Sequence, residues 1–140
     1  MRDGVFSSVP AIVGLCALVL SGCVSSSQDL VESSSNKRTF TVSQNYQQVY
    51  RNISKTASQC LTRGIVLSSQ ASWDVDAQLY SELGYGEIDF YLNNVGKDFY
   101  ATAKVERQGS GTKVTVVSRE RFKDRFSDSF QRWAKGSTAC

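Results

Sequence analysis

From residue 46 to 61 the apolar positions recur every three or four residues. Tyr46, Val49, Tyr50, Ile53, Ala57, Cys60 and Leu61 share one stripe, and Gln47, Gln48, Arg51, Lys55 and Gln59 lie off it. That period predicts an amphipathic helix, with Ser43 as its N-cap and Gly64 as its C-cap. The run Arg38-Thr39-Phe40-Thr41-Val42 before it reads as a strand. From residue 65 the period drops to two. After Ile65-Val66-Leu67, the residues Trp73, Val75, Ala77 and Leu79 alternate with Asp74, Asp76 and Gln78. Gly84-Tyr85-Gly86 breaks the pattern, and Ile88, Phe90 and Leu92 then alternate with Asp89, Tyr91 and Asn93. Phe99, Ala101, Ala103 and Val105 alternate next with Tyr100, Thr102, Lys104 and Glu106, and residues 112–118 close the series. The loops over 93–97 and 108–111 carry hairpin chemistry. Three or four antiparallel strands with one buried face follow from this.

The last periodic segment is helical again, with Phe122, Phe126, Phe130 and Trp133 on one stripe and Gly136 as its stop. Two one-faced helices and a one-faced sheet bury their apolar surfaces most simply when both helices lie on the same side of the sheet. The expected fold is an α+β two-layer sandwich of order β-α-β-β-β-α, a single domain over residues 38–140. Composition adds exclusions. The chain has 140 residues, no histidine and a net charge of +3. Without imidazole, His-based triads and the usual zinc sites are ruled out, and the weak positive charge gives no footprint for nucleic acid.

The first residues follow other rules. The stretch Val9–Leu20 has no charged side chain, and it is shorter than the roughly 20 residues that a bilayer core of about 30 Å requires. It fits the apolar part of a cleaved secretory signal over residues 1–22. Next comes Leu20-Ser21-Gly22-Cys23, an aliphatic residue and two small ones before a cysteine. This resembles the lipobox of bacterial lipoproteins. The resemblance implies that Cys23 becomes the first mature residue and carries a diacylglyceryl thioether and a palmitate-type acyl amide. Two or three such chains hold a protein on a membrane firmly. Val24, where an aspartate would resemble an inner-membrane retention signal, implies sorting to the outer membrane with the domain facing the periplasm. The Ser-rich residues 23–37 read as a flexible tether with a coil length of roughly 20 Å.

In that compartment the cysteines form a simple set. Cys16 leaves with the signal and Cys23 is taken by lipid, so Cys60 and Cys140 remain. An even pair in an oxidising environment reads as one disulfide; two free thiols, or a bridge between chains through Cys140, are the other readings. Residues 38–140, from the Phe-x-Val strand to Trp133-Ala134-Lys135-Gly136 and the final cysteine, are similar to small proteobacterial outer-membrane lipoproteins. The topology also has a looser similarity to the helix-grip domains of outer-membrane assembly lipoproteins.

Candidate chemistry is sparse. Ser34 and Lys37 spell S-x-x-K, a spacing that needs a rigid, enclosed helix to make a nucleophile. Asp74, Asp76, Glu82, Glu87 and Asp89 are a loose acidic set; paired carboxylates suit glycoside cleavage, but alternation with Trp73 and Val75 also describes the wet side of a strand. The run from Arg119 to Arg125 mixes signs, which suits a solvated helix face as well as a site for an acidic partner. Tyr91 and Tyr100 fall out of phase with the expected core and are either interface anchors facing solvent across one hairpin or cross-strand packing. The expectation is a lipid-anchored, non-enzymatic accessory subunit of an envelope assembly, with Tyr91, Tyr100, Arg119 and Arg121 toward a protein partner and no metal or cofactor. The alternative is a small binding module for lipid or cell-wall material, using the groove between helices and sheet.

Overall fold

The computed structural model describes residues 24–62 and 70–140. Cys23, the signal stretch, the expected Gly64 cap and Ile65-Val66-Leu67 lie outside them. Among the described residues a short helix α1 (Ser27–Ser33) precedes strand β1 (Lys37–Val42) and helix α2 (Tyr46–Leu61). Strands β2 (Ser72–Tyr80), β3 (Tyr85–Asn93), β4 (Lys97–Gln108) and β5 (Gly111–Ser118) follow. A 3₁₀ turn over Glu120–Phe122 then leads into helix α3 (Lys123–Ala134).

Strands β2 to β5 form an antiparallel meander and β1 pairs antiparallel with β5, giving the order β1-β5-β4-β3-β2. The period-two alternation puts Ile88, Phe90, Ala101, Ala103, Val105, Val114 and Val116 on one face, the front, where α2 covers β2–β4 and α3 covers β5 and β1. Tyr46, Val49, Ile53 and Ala57 of α2 and Phe126, Phe130 and Trp133 of α3 are buried there. Small Ala101 and Ala103 on the central strand leave depth for these aromatic rings. Gly86 does the same for Tyr50, since a Cβ at residue 86 would stand 2.5 Å from the ring. This is the expected α+β two-layer sandwich, with four strands in the meander.

Cys60 and Cys140 are joined, with a Cα–Cα distance of 5.3 Å, which resolves the three readings of the cysteine pair in favour of an intrachain bridge. The bridge ties the end of α2 to the tail beyond α3, where Gly136 at φ 98° turns the chain and Trp133 Nε1 donates to Ala139 O at 2.8 Å. The α2 N-cap is Asn45, whose side chain accepts from Gln47 N at 2.9 Å, not Ser43. The exit from β1 occupies residues 43 and 44, with Gln44 O held by Thr112 Oγ1 at 2.7 Å. The helix therefore starts later than the sequence suggests.

The expected tether is the larger correction. Ser27–Ser33 is a helix on the back of the sheet, and Leu30 inserts among Tyr91, Phe99 and Val117 with 1% of its surface exposed. Its serines serve as caps and ties instead of as spacer. Ser26 caps the Asp29 amide at 3.0 Å, Ser33 Oγ donates to Asp29 O, and Ser34 Oγ donates to Ser118 O at 2.7 Å. One leucine over an apolar patch is enough to dock a segment whose composition alone reads as coil.

The patch itself comes from a β-bulge. Phe90 pairs with Ala101, but Tyr91 pairs with Phe99, so Tyr100 is the extra residue on β4. The slip sends Phe99 to the back face and leaves Tyr100 on the front. Strict alternation predicts the reverse.

Candidate functional site

At the end of the sandwich where α2 finishes, α3 begins and the β3–β4 hairpin turns, the two layers part. The space between them is a groove of about 310 Å³. Trp73, Phe90 and Tyr100 form its sheet side, Phe122 and Phe126 its α3 side, and Leu61 and Cys60 its α2 side, with Arg125 at the lip. The rings brace one another. Trp73 stacks on Phe90 at 5.1 Å and meets the Tyr100 edge at 4.9 Å, while Phe126 lies 5.4 Å from Phe90 and 5.8 Å from Phe122. Contacts of this kind hold aromatic walls in fixed orientations beyond their burial alone. Trp73 reaches the groove from the edge strand, Tyr100 from the bulge, and Phe122 from the 3₁₀ turn ahead of α3. Each is half-buried.

The expected partner-binding residues are scattered by the fold. Tyr91 does not face solvent. It is buried on the back under Leu30, 5.4 Å from Phe99, with the Lys97 ammonium 4.4 Å above its ring. Tyr100 lies on the opposite face, inside the groove, so the two tyrosines do not share a hairpin surface. The bulge separates them. Arg119 is a brace: its guanidinium pairs with Asp98, donates from Nε to Phe99 O at 2.7 Å, and stacks 4.3 Å over Tyr100. It therefore holds the Tyr100 wall in place and offers little to a partner. Arg121 is exposed beside Phe122, 5.7 Å from its ring. Cys23 lies outside the described residues. Ser34 of the S-x-x-K spacing spends its hydroxyl on the Ser118 carbonyl.

Asp74, Asp76, Glu87 and Asp89 lie on the back of the sheet, as alternation with Trp73 and Val75 predicts, with Asp89 partly buried there, and Glu82 lies in the β2–β3 turn. Asp76 pairs with Lys97 at 3.3 Å. Asp89 sits opposite Asp76 in the ladder. Burial raises the pKa of the Asp89 carboxyl, against the hydrogen bonds from Thr102 and Ser27 that stabilise its charge; the neighbouring Asp76 charge adds to the rise. Glu106 behaves in the other sense. Its own burial pulls upward, but ion pairs with Lys113 and Lys104, both at 3.1 Å, hold its carboxyl below the ordinary range. Among the described residues no group of three or more acidic or thiol side chains is placed to hold a metal ion.

The sequence pattern places Trp73, Phe90, Phe122 and Phe126 in the core without marking them as a site. The missed signal is their crowding at one end. The α3 stripe begins at Phe122, a turn before the sheet contacts that bury Phe126 and Phe130, and Arg125 falls in the sequence between Phe122 and Phe126. No protein-family model matches the chain, and no curated protein matches it. The residues alone therefore carry the functional argument. Chemically, the groove joins braced aromatic rings to a comparable share of polar surface, with the Arg125 cation among its lining residues, and it suits one apolar side chain next to an acidic group.

Proposed function

We propose that this protein is a lipid-anchored, non-enzymatic accessory subunit of an envelope assembly, attached to the outer membrane through Cys23 and facing the periplasm. It acts by holding a segment of a partner protein in the aromatic groove. The observation that carries this reading is the groove itself. Five aromatic residues and Leu61 surround a space of about 310 Å³ beside Arg125. That volume is at the bottom of the range for small-molecule sites, roughly 300–1,000 Å³, and too small for a two-chain lipid. A concave aromatic pocket of this kind is where a single aromatic or aliphatic anchor seats at a protein interface. The lipobox resemblance supplies the location, and the disulfide fits an oxidising compartment.

The other reading, a module for lipid or cell-wall material, is favoured by the same aromatic walls if the occupant is a single acyl chain. In-cell photo-crosslinking separates them. A photoreactive residue in place of Arg125 at the lip is expected to give one discrete protein adduct, and the same residue in place of Lys55 on the outer face of α2 none. An acyl or glycan adduct at 125 supports the second reading. No adduct at 125, or equal adducts at both positions, overturns both.

A further inference from the structure

The end of the molecule that opens the groove also holds the start of the described chain. Val24 O accepts from Phe99 N at 3.2 Å, and Val24 packs on the Leu30–Phe99 cluster. The first described residue, Val24, is thus fixed beside the start of β4. Beside it is the β3–β4 hairpin. Its loop is closed by Asn94 N donating to Gly96 O at 3.0 Å, and Val95 at the tip is 102% exposed. That valine buries nothing within the fold. Arg121 is exposed on the adjoining 3₁₀ turn, joined to β4 by the Arg119–Asp98 brace. Leu83, 70% exposed, marks the opposite end in the β2–β3 turn.

We propose that the Val95 hairpin tip, with Arg121 at the same end of the molecule, rests on the bilayer that takes the acyl chains of Cys23. This rests on the lipid-anchor reading given above and deepens it. A docked strap removes the slack that a coil of residues 24–36 would give, so the anchor has to pull one particular end of the domain onto the surface. That end carries an exposed apolar tip and the exposed cations Arg121 and Lys97, with Glu120 as an opposing charge, and an apolar side chain with a basic excess is the combination that favours interfacial contact. The groove then opens at membrane level, and its occupant is met there instead of deep in the periplasm.

The test uses the full mature chain in vesicles of phosphatidylethanolamine and phosphatidylglycerol. Val95→Cys and Leu83→Cys variants each carry a nitroxide label, with Cys60 and Cys140 left bridged. Collision with a water-soluble nickel chelate is expected to fall several-fold for the label at 95 on moving from detergent to vesicles, and to stay unchanged at 83. Protein that floats with the vesicles but keeps both labels equally accessible overturns the orientation and leaves the anchor standing. Protein that does not float, and whose mass shows no acyl groups, overturns both.

Discussion

The front and back of the sheet are covered in opposite ways. On the front, α2 and α3 bring continuous stripes of large side chains against β-branched and small residues, and Phe130, Trp133, Val49 and Ile53 are sealed from water. On the back, a seven-residue helix covers one end with a single leucine. The rest of that face carries polar pairs, Lys104–Glu106–Lys113, Lys97–Asp76 and Thr39–Thr115, beside the Tyr80–Tyr85 ring pair. Apolar burial scales with area, whereas exposed ion pairs contribute about 0–1 kcal/mol each. The front therefore holds the fold together. The back holds only the strap, and the strap is what fixes Val24 to the sheet.

The comparison breaks most directly at Phe130. Phe130→Ala should cost about 3–5 kcal/mol, read by urea unfolding, because the ring is fully buried between α3, α2 and the sheet. Amide exchange should speed up across α2, α3 and β4 together. A loss below about 1 kcal/mol would mean that the front is not the main core.

Leu30→Ala sharpens the same contrast at smaller scale. The docking of the strap should weaken by about 2–3 kcal/mol. The amides of Phe99 and Ser118, which donate to Val24 O and Asn36 O, should lose protection, while the urea midpoint barely moves. If the whole domain loses stability by that amount instead, the two faces unfold as one unit and the distinction between them is lost.

The same contrast explains what the sequence made legible. The stripes of α2 and α3 and the alternation from Trp73 to Val116 are long repeats, and each votes many times for the same face. The antiparallel meander, the helix-bearing layer and the wet acidic side follow from them. The strap offers one leucine and the bulge one extra residue, so neither has a period to read. Both errors start there. The Ser-rich stretch reads as a tether because a docking contact made by a single side chain leaves no pattern. Tyr91 and Tyr100 read as neighbours on one surface because alternation, carried through an unseen bulge, assigns both to the same side. The groove was half visible: Trp73, Phe90, Phe122 and Phe126 were in the core pattern, but Tyr100 was assigned to the other face, and the parting of the layers at that end depends on where α2 stops and α3 starts.

The smallest effect belongs to the back face, at Asp89. Its carboxyl is partly buried near the start of α1, with Thr102 and Ser27 donating to it, Asp76 opposite and Lys97 nearby. Burial raises its pKa above the ordinary aspartate value. In the pH window between the unfolded and folded values the native state binds more protons than the unfolded chain, so stability falls as pH rises through that window. Below the window both states are protonated and nothing is lost; above it the full penalty remains. Asp89→Asn keeps a carbonyl oxygen for Thr102 and Ser27 and removes the charge. The variant should match the parent at acid pH and exceed it near neutrality, by about 0.5 kcal/mol or less, as befits a partly solvated side chain. Paired urea titrations at the two pH values measure this. A variant less stable than the parent at neutral pH would show that the charged hydrogen bonds outweigh burial, and that the back face gains from its polarity more than it loses.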